Sequence, residues 1–274
     1  MTKSFITNQP AINFTVVGFG QAGSRIADQF ARIKDAQGNQ TYNCLALNSN
    51  DGDLKDLQYI HSDNRYSLGL GGLGKNPEKA IKILNEEESV REKMKKFISE
   101  KIRPKDEVVI FVAGLGGGTG TSTIVKAISE FYEYHNKPLI TQELKKLIEK
   151  EGIEKFKENQ KDFTTRAFLN AKEHFKKIIV IATLPLRSDG ADVLRQVNNF
   201  AQEIWKLAKD PTKGIAHVIF PDNQFFYDKF KQIPKNSISG IKNYRDYANR
   251  EIVSIIHELN TGATEGGTSI VLDK

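Results

Sequence analysis

Cysteine is almost missing from this chain of 274 residues: Cys44 is the only one. A single thiol excludes an internal disulfide framework and any multi-cysteine metal centre. Its position in the strand-like run YNCLAL makes it a buried structural thiol. Long apolar runs are missing too. Nothing approaches the roughly 20 residues that cross a bilayer, and the opening MTKSFITNQPAINF lacks the apolar core of a secretion signal. We therefore expect a cytoplasmic protein with no membrane partner. Zinc-finger spacing, aromatic RNA-binding motifs and the P-loop pattern GxxxxGK(S/T) are also absent. Charge of one sign is only slightly in excess, 40 Lys and Arg against 34 Asp and Glu. The lysines alternate with glutamates in ELKKLIEKEGIEKFKE, the pattern of a solvated helix face. Direct sequence-specific binding of nucleic acid is not expected.

Glycine is what the chain has in concentrated form. Residues 107–134 read EVVIFVAG, then LGGGTGTS, then TIVKAISEFYEY. The first part is an apolar run of strand length, and the last carries Ile124, Ile128, Phe131 and Tyr132 on one helix face. Five glycines, at 114, 116, 117, 118 and 120, fill the turn between them. Glycine lets backbone approach a ligand closely. Free N–H groups at a helix start, with the positive end of its dipole, attract an anion. Thr119, Thr121 and Ser122 add hydroxyl donors, so we read the turn as a phosphate cradle.

The same strand–turn–helix grammar recurs along the chain. Residues 12–17 form a first strand that enters GFGQAG, a GxGxxG pattern through Gly18, Gly20 and Gly23. This pattern opens an NAD-binding oxidoreductase as an alternative. Such an enzyme places an acid at the end of the second strand. Here the strand over 42–47 runs into Asn48 and the polar turn NSNDGD, with Asp51 nearby. A short extended piece is expected at 59–66. The glycine-dense loop SLGLGGLGKNPEKA follows, with Pro77 as a first helical residue and helix to about 102. Residues 136–176 read as a surface insertion of one or two helices, broken at Gly152. Further strands are expected at 177–184 and 216–220 and a helix at 243–259, followed by the loop TGATEGG and the start of a strand. The alternation predicts an α/β fold, a Rossmann-like doubly wound, mostly parallel sheet with helices on both faces. Three glycine turns along one sheet edge suit a nucleotide triphosphate better than a dinucleotide.

GLGGGTGTS at 114–122 resembles the signature of the tubulin/FtsZ superfamily. GQAGSRIA at 20–27, NSND at 48–51, GKNPE at 74–78 and TLPLRSDG at 183–190 are similar to its other nucleotide loops, in order. DNQFF at 222–226 and YANREIVSIIHELN at 247–260 resemble the base-binding turn and central helix of its plasmid- and phage-encoded TubZ branch. The resemblance covers nearly the whole chain. It implies a GTP-binding domain over 1–260, with the insertion at about 136–176. Residues 261–274 would be a loop and first strand leading to a C-terminal domain that is missing here.

The resemblance also implies roles for individual residues. Gly116, Gly117, Gly118, Thr119, Gly120 and Thr121 would hold the α- and β-phosphates of GTP or GDP. Gly20, Gln21 and Ala22 would lie beside the phosphates, with Gln21 next to Mg2+. Asn48 belongs to the second loop, and Gly72, Gly74 and Asn76 would sense the γ-phosphate. Pro185 and Asp189 would meet the ribose, Arg25 would lie near the base, and Asn223 and Asn249 would read guanine. An amide offers both donor and acceptor and so matches the guanine edge. Asp273 matches the family's acidic loop, which acts in trans on the GTP of a neighbour in a head-to-tail filament. The implied biology is partitioning of plasmid or phage DNA, with a DNA-bound adaptor as a possible partner. A tubulin-like module that binds without hydrolysing is the alternative within this family.

Overall fold

The computed structural model describes residues 10–70, 77–234 and 240–265. Six strands form one sheet: β1 (Phe14–Phe19), β2 (Asn43–Asn48), β3 (Arg65–Ser67), β4 (Val108–Gly114), β5 (Lys177–Thr183) and β6 (Ile215–Ile219). Their order is β3-β2-β1-β4-β5-β6 and every pairing is parallel. This is the doubly wound order, in which winding reverses between β1 and β4 and leaves a crevice at the strands' carboxyl ends.

The helices are α1 (Gly20–Ala31), α2 (Gly52–Lys55), α3 (Pro77–Glu86), α4 (Glu88–Lys101), α5 (Gly118–Phe131), α6 (Lys137–Glu151), α7 (Ile153–Glu158), α8 (Gln160–Ala171), α9 (Ala191–Ala208), α10 (Asn223–Gln232) and α11 (Tyr244–Glu265). Central strands covered on both faces need apolar residues at every position, which is why VVIFVA shows no alternation. Val17, Phe19, Val109 and Phe111 point into the core under α3, α4, α5 and α9. Phe14, Val16, Ile110 and Val112 point into the opposite core, under α1 and α11. Burying each such side chain stabilises the fold by roughly 1.5–3 kcal/mol. Cys44 is fully buried, and burial pushes its thiol well above the ordinary range.

Several boundaries differ from those expected. The first strand begins and ends two residues later, at Phe14 and Phe19. The piece expected at 59–66 is extended only from Arg65, where the three residues of β3 begin, and Ser62–Asn64 before it form a 3-10 turn. The single helix expected up to 102 is two, broken before Glu88. The stretch after β6 contains α10, which has no counterpart in the sequence reading. The loop expected at TGATEGG is helical through Glu265. Gly262 costs that helix roughly 1 kcal/mol. Burial of Asn260 and Thr261 holds the turn, and the Thr261 hydroxyl donates to the His257 carbonyl at 2.9 Å.

Asn260 ties α11 to the start of the sheet. Its amide receives the Ile12 N–H at 2.9 Å and donates to the Ile12 carbonyl at 2.8 Å. Beside it the Tyr42 hydroxyl meets His257 Nδ1 at 2.8 Å. Burial raises the Tyr42 hydroxyl to about 12 and lowers the His257 imidazole, so both are neutral at pH 7.

The insertion holds three helices, α6 to α8, rather than one or two. Gly152 stands between α6 and α7 with φ +97°. The Arg166 guanidinium straddles the Glu151 carboxylate at 2.8 and 3.1 Å, fastening α8 to α6. The buried Asn136 joins the insertion's two ends: its amide donates to the Lys176 carbonyl and accepts the Lys176 N–H, both at 3.2 Å.

Candidate functional site

The carboxyl ends of β1, β2, β4 and β5 open into a cleft of about 360 Å3. Its floor is two glycine turns locked together by backbone contact. Gly20 adopts φ +67°, and a Cβ there would lie 2.6 Å from the Gly120 nitrogen. Behind them a Cβ on Gly18 would lie 2.3 Å from the Gly23 carbonyl oxygen, and one on Gly23 2.1 Å from that of Val112. The GxGxxG pattern therefore seats α1 directly on β1 and β4 and presses its first turn against the start of α5.

Gly116, Gly117, Gly118, Thr119 and Gly120 line the cleft at the N-terminus of α5. No side chain caps that helix start, so its first N–H groups face the opening as an anion site. A Cβ on Gly117 would meet nothing within 4 Å. Thr121 behaves differently. Its buried hydroxyl receives the Gly116 N–H at 3.2 Å, so it braces the turn from within and is not part of the lining.

A chain of hydrogen bonds links the three loops on this side. The Thr119 hydroxyl donates to Ser49 Oγ at 2.9 Å. The Ser49 N–H donates to Asn48 Oδ1 at 2.7 Å, and the Asn48 amide donates to Asp53 at 3.1 Å. Gln21 donates to the other Asp53 oxygen, also at 3.1 Å. Gln21 thus lies beside Asp53, the carboxylate at this end of the described cleft. Magnesium takes one or two carboxylates and fills its shell with phosphate and water oxygens, so this donor set fits it. Among the described residues no group of three His, Cys, Asp or Glu could hold a metal.

Pro185, Asp189 and Val193 line the opposite wall, and Asn223, Tyr244, Arg245 and Asn249 the far end, with Ala22 and Arg25 from α1 completing the cleft. Asp189 accepts the Leu186 N–H at 3.0 Å, which shapes the turn after β5. Asn223 and Asn249 are not helix caps. Asp222 caps α10, accepting the Gln224 N–H at 2.8 Å, and Asn243 accepts N–H groups of Arg245 and Asp246 at the start of α11. Neither amide has a side-chain hydrogen-bond partner among the described residues, and both line the cleft.

Every sequence-predicted residue within the described parts is thus at or beside one cleft. Gly72, Gly74, Asn76 and Asp273 lie outside the described residues. Sequence reasoning missed Asp53, Ser49, Thr183, Val193, Tyr244 and Arg245. Ser49 and Asp53 stand in the polar turn already singled out, where Asp51 had been the acid considered. The ring of Tyr244 packs edge-on against Tyr227 at 5.3 Å, and only the placement of α10 beside α11 reveals it.

No protein-family model matches the chain. The tubulin-like protein TubZ of Bacillus cereus is 24% identical over 257 residues, covering 91% of this chain and 47% of that protein. The tubulin-like protein CetZ of Pyrococcus furiosus is 33% identical over 126 residues, 43% of this chain and 32% of that one. Among solved structures, a GTPγS-form protofilament of TubZ from Bacillus thuringiensis serovar israelensis superposes with TM-score 0.65 at 21% identity, covering 96% of this chain and 60% of that one. The helical model of a two-stranded TubZ-Bt filament gives 0.67 at 22% identity, with 97% and 58% coverage. The chain spans about half the length of the TubZ proteins it matches.

Proposed function

We propose that this chain, a tubulin-like protein of the tubulin/FtsZ superfamily, is a GTP-binding domain that works in the cytoplasm as part of a filament-forming cytoskeletal protein. The observation that carries the reading is a single cleft with an uncapped helix start at one end and two unpartnered asparagines at the other. Phosphates would rest on the N–H groups of Gly116–Gly120 through charge-assisted hydrogen bonds. Mg2+ would sit between them and the Gln21–Asp53 pair, neutralising phosphate charge when bound. Pro185 and Asp189 would flank the ribose, and Asn223 and Asn249 would read the base against Tyr244.

Relatives solved as GTPγS-form and GDP-form protofilaments support a guanine nucleotide and head-to-tail self-association. Heterologous contacts that do not close produce such filaments. Hydrolysis at subunit contacts, with Asp273 acting on a neighbour's GTP, and a role in plasmid or phage DNA partitioning through a DNA-bound adaptor complete the proposal.

Equilibrium binding of a fluorescent GTP analogue with magnesium, competed by GTP, ATP and NAD, tests it. Displacement by GTP alone is expected. Displacement by NAD would return the glycine turns to an oxidoreductase, and failure of GTP to compete would leave a tubulin-like scaffold that does not use the nucleotide. Turnover by this chain alone is expected to stay slow, and fast hydrolysis at nanomolar protein would sink the in-trans account.

A further inference from the structure

We propose that the chain carries a second anion site, a cleft of about 330 Å3 that adjoins the first and takes a small phosphate-bearing ligand. Its walls are α1, the loop at 56–59 and the beginning of α11. Four cations surround it: Arg25 from α1 and Arg32 at its C-terminal cap, with Lys242 and Arg250 opposite. Arg25 and Arg32 are seven residues apart and so share one helix face. None of the four forms an ion pair with a described residue, whereas cations elsewhere on helix surfaces, such as Lys95, Lys137 and Arg195, pair with a carboxylate one turn away.

Three carboxylates lie nearby, and two are already engaged. Asp28 is buried and accepts the backbone N–H groups of Gln58, Tyr59 and Ile60 at 2.8–3.0 Å. Asp246 accepts the Lys242 N–H and the Asn243 amide through one oxygen. Only Asp56 has no such bond. Arg250 spends one N–H on the Gly240 carbonyl at 2.6 Å and keeps the rest of its fork. Four cations against three carboxylates leave the lining with a positive excess that an incoming anion offsets, and guanidinium forks match phosphate oxygens in pairs. Its volume lies at the small end of ligand sites, which run from about 300 to 1,000 Å3. A pyrophosphate or mononucleotide fits that scale. Arg25 and Asn249 line both clefts, so a ligand in one alters the affinity of the other, and reciprocally.

Calorimetric titration of inorganic pyrophosphate tests the site, because two variants separate it from the first cleft. Gly117→Glu places a carboxylate in the cradle at a position with open space. Arg32→Ala/Lys242→Ala removes two exposed cations that touch only the second cleft. The Gly117→Glu chain is expected to keep one pyrophosphate event that weakens with added salt. The double variant is expected to lose that event, by at least about tenfold in affinity, as befits lost charged hydrogen bonds. Circular dichroism confirms that each variant folds. If the double variant titrates like the parent, or if Gly117→Glu binds no pyrophosphate, the site does not exist. GTP competition on the double variant reports on the first cleft alone, so the two proposals fail by different measurements.

Discussion

Two glycine-to-alanine substitutions separate the scaffold of the cleft from its working surface. At Gly23 the new methyl would stand 2.1 Å from the Val112 carbonyl oxygen and 3.1 Å from the Ala113 Cα. Both are backbone atoms of the central strand β4, which cannot yield as a side chain does. α1 would have to lift by about 1 Å, loosening Ile26, Ala27 and Phe30 from their buried packing. Overpacking of this kind costs about 1–3 kcal/mol and occasionally more, and backbone contact places Gly23→Ala at the top of that range. For a domain of this size each kcal/mol moves Tm by roughly 2–4 °C, so a fall of roughly 6–12 °C is expected. At Gly117 the backbone sits at φ −100°, ψ 158°, and the methyl meets nothing. The lost chain entropy of glycine and the poorer cap roughly cancel, leaving stability within about 1 kcal/mol. That methyl occupies the space a phosphate needs, so GTP affinity should drop at least tenfold, or about 1.4 kcal/mol. Thermal unfolding by circular dichroism and equilibrium nucleotide binding measure the two effects. A Gly23→Ala chain as stable as the parent, or a Gly117→Ala chain that binds GTP unchanged, would refute the steric reasoning.

Three more outcomes follow from the same geometry. Asn249→Ala should weaken GTP by about tenfold or more while leaving Tm nearly unchanged, since its amide has no described partner to lose; selectivity for GTP over ATP, measured by competition, should shrink with it. Asn136→Ala strips both hydrogen bonds from Lys176 and should cost about 1–3 kcal/mol, with faster proteolysis confined to 137–175. Burial lowers the His257 imidazole, and also that of His135. The folded state therefore holds fewer protons than the unfolded chain just below the ordinary histidine pKa of about 6.5. Stability should be full above that pH and fall as the pH drops from about 6.5 towards the lowered folded values. Urea unfolding at pH 7.5 and 5.5 checks this, and His257→Gln should reduce the difference.

Much of the fold was legible in the sequence because its signals are local. Unbroken apolar runs such as VVIFVA, ending in a glycine or polar turn and then a helix-period pattern, define parallel strands and their crossovers without reference to anything distant. The helical character of 137–171 was legible for the same reason, since its lysines and glutamates alternate with apolar residues at helical spacing, although the structure has three helices there and not one or two. What local signals lack is the partner. The extension of α11 past Leu259 depends on Asn260 meeting Ile12, 248 residues away, and the helical pattern itself gives no hint of it.

The candidate site divides the same way. Glycine spacing alone located two tight strand-to-helix turns, because the positive φ of Gly20 and Gly116 and the close backbone approach at Gly18, Gly23 and Gly120 favour a residue without Cβ. Tertiary structure decided that Gly20 rests on Gly120 and that Thr121 braces the turn while Thr119 lines it. It decided too that Asp53 rather than Asp51 joins Gln21 to Asn48. Those distinctions turn on side-chain direction and on contacts between strands far apart in sequence, and a pattern of residue types carries neither.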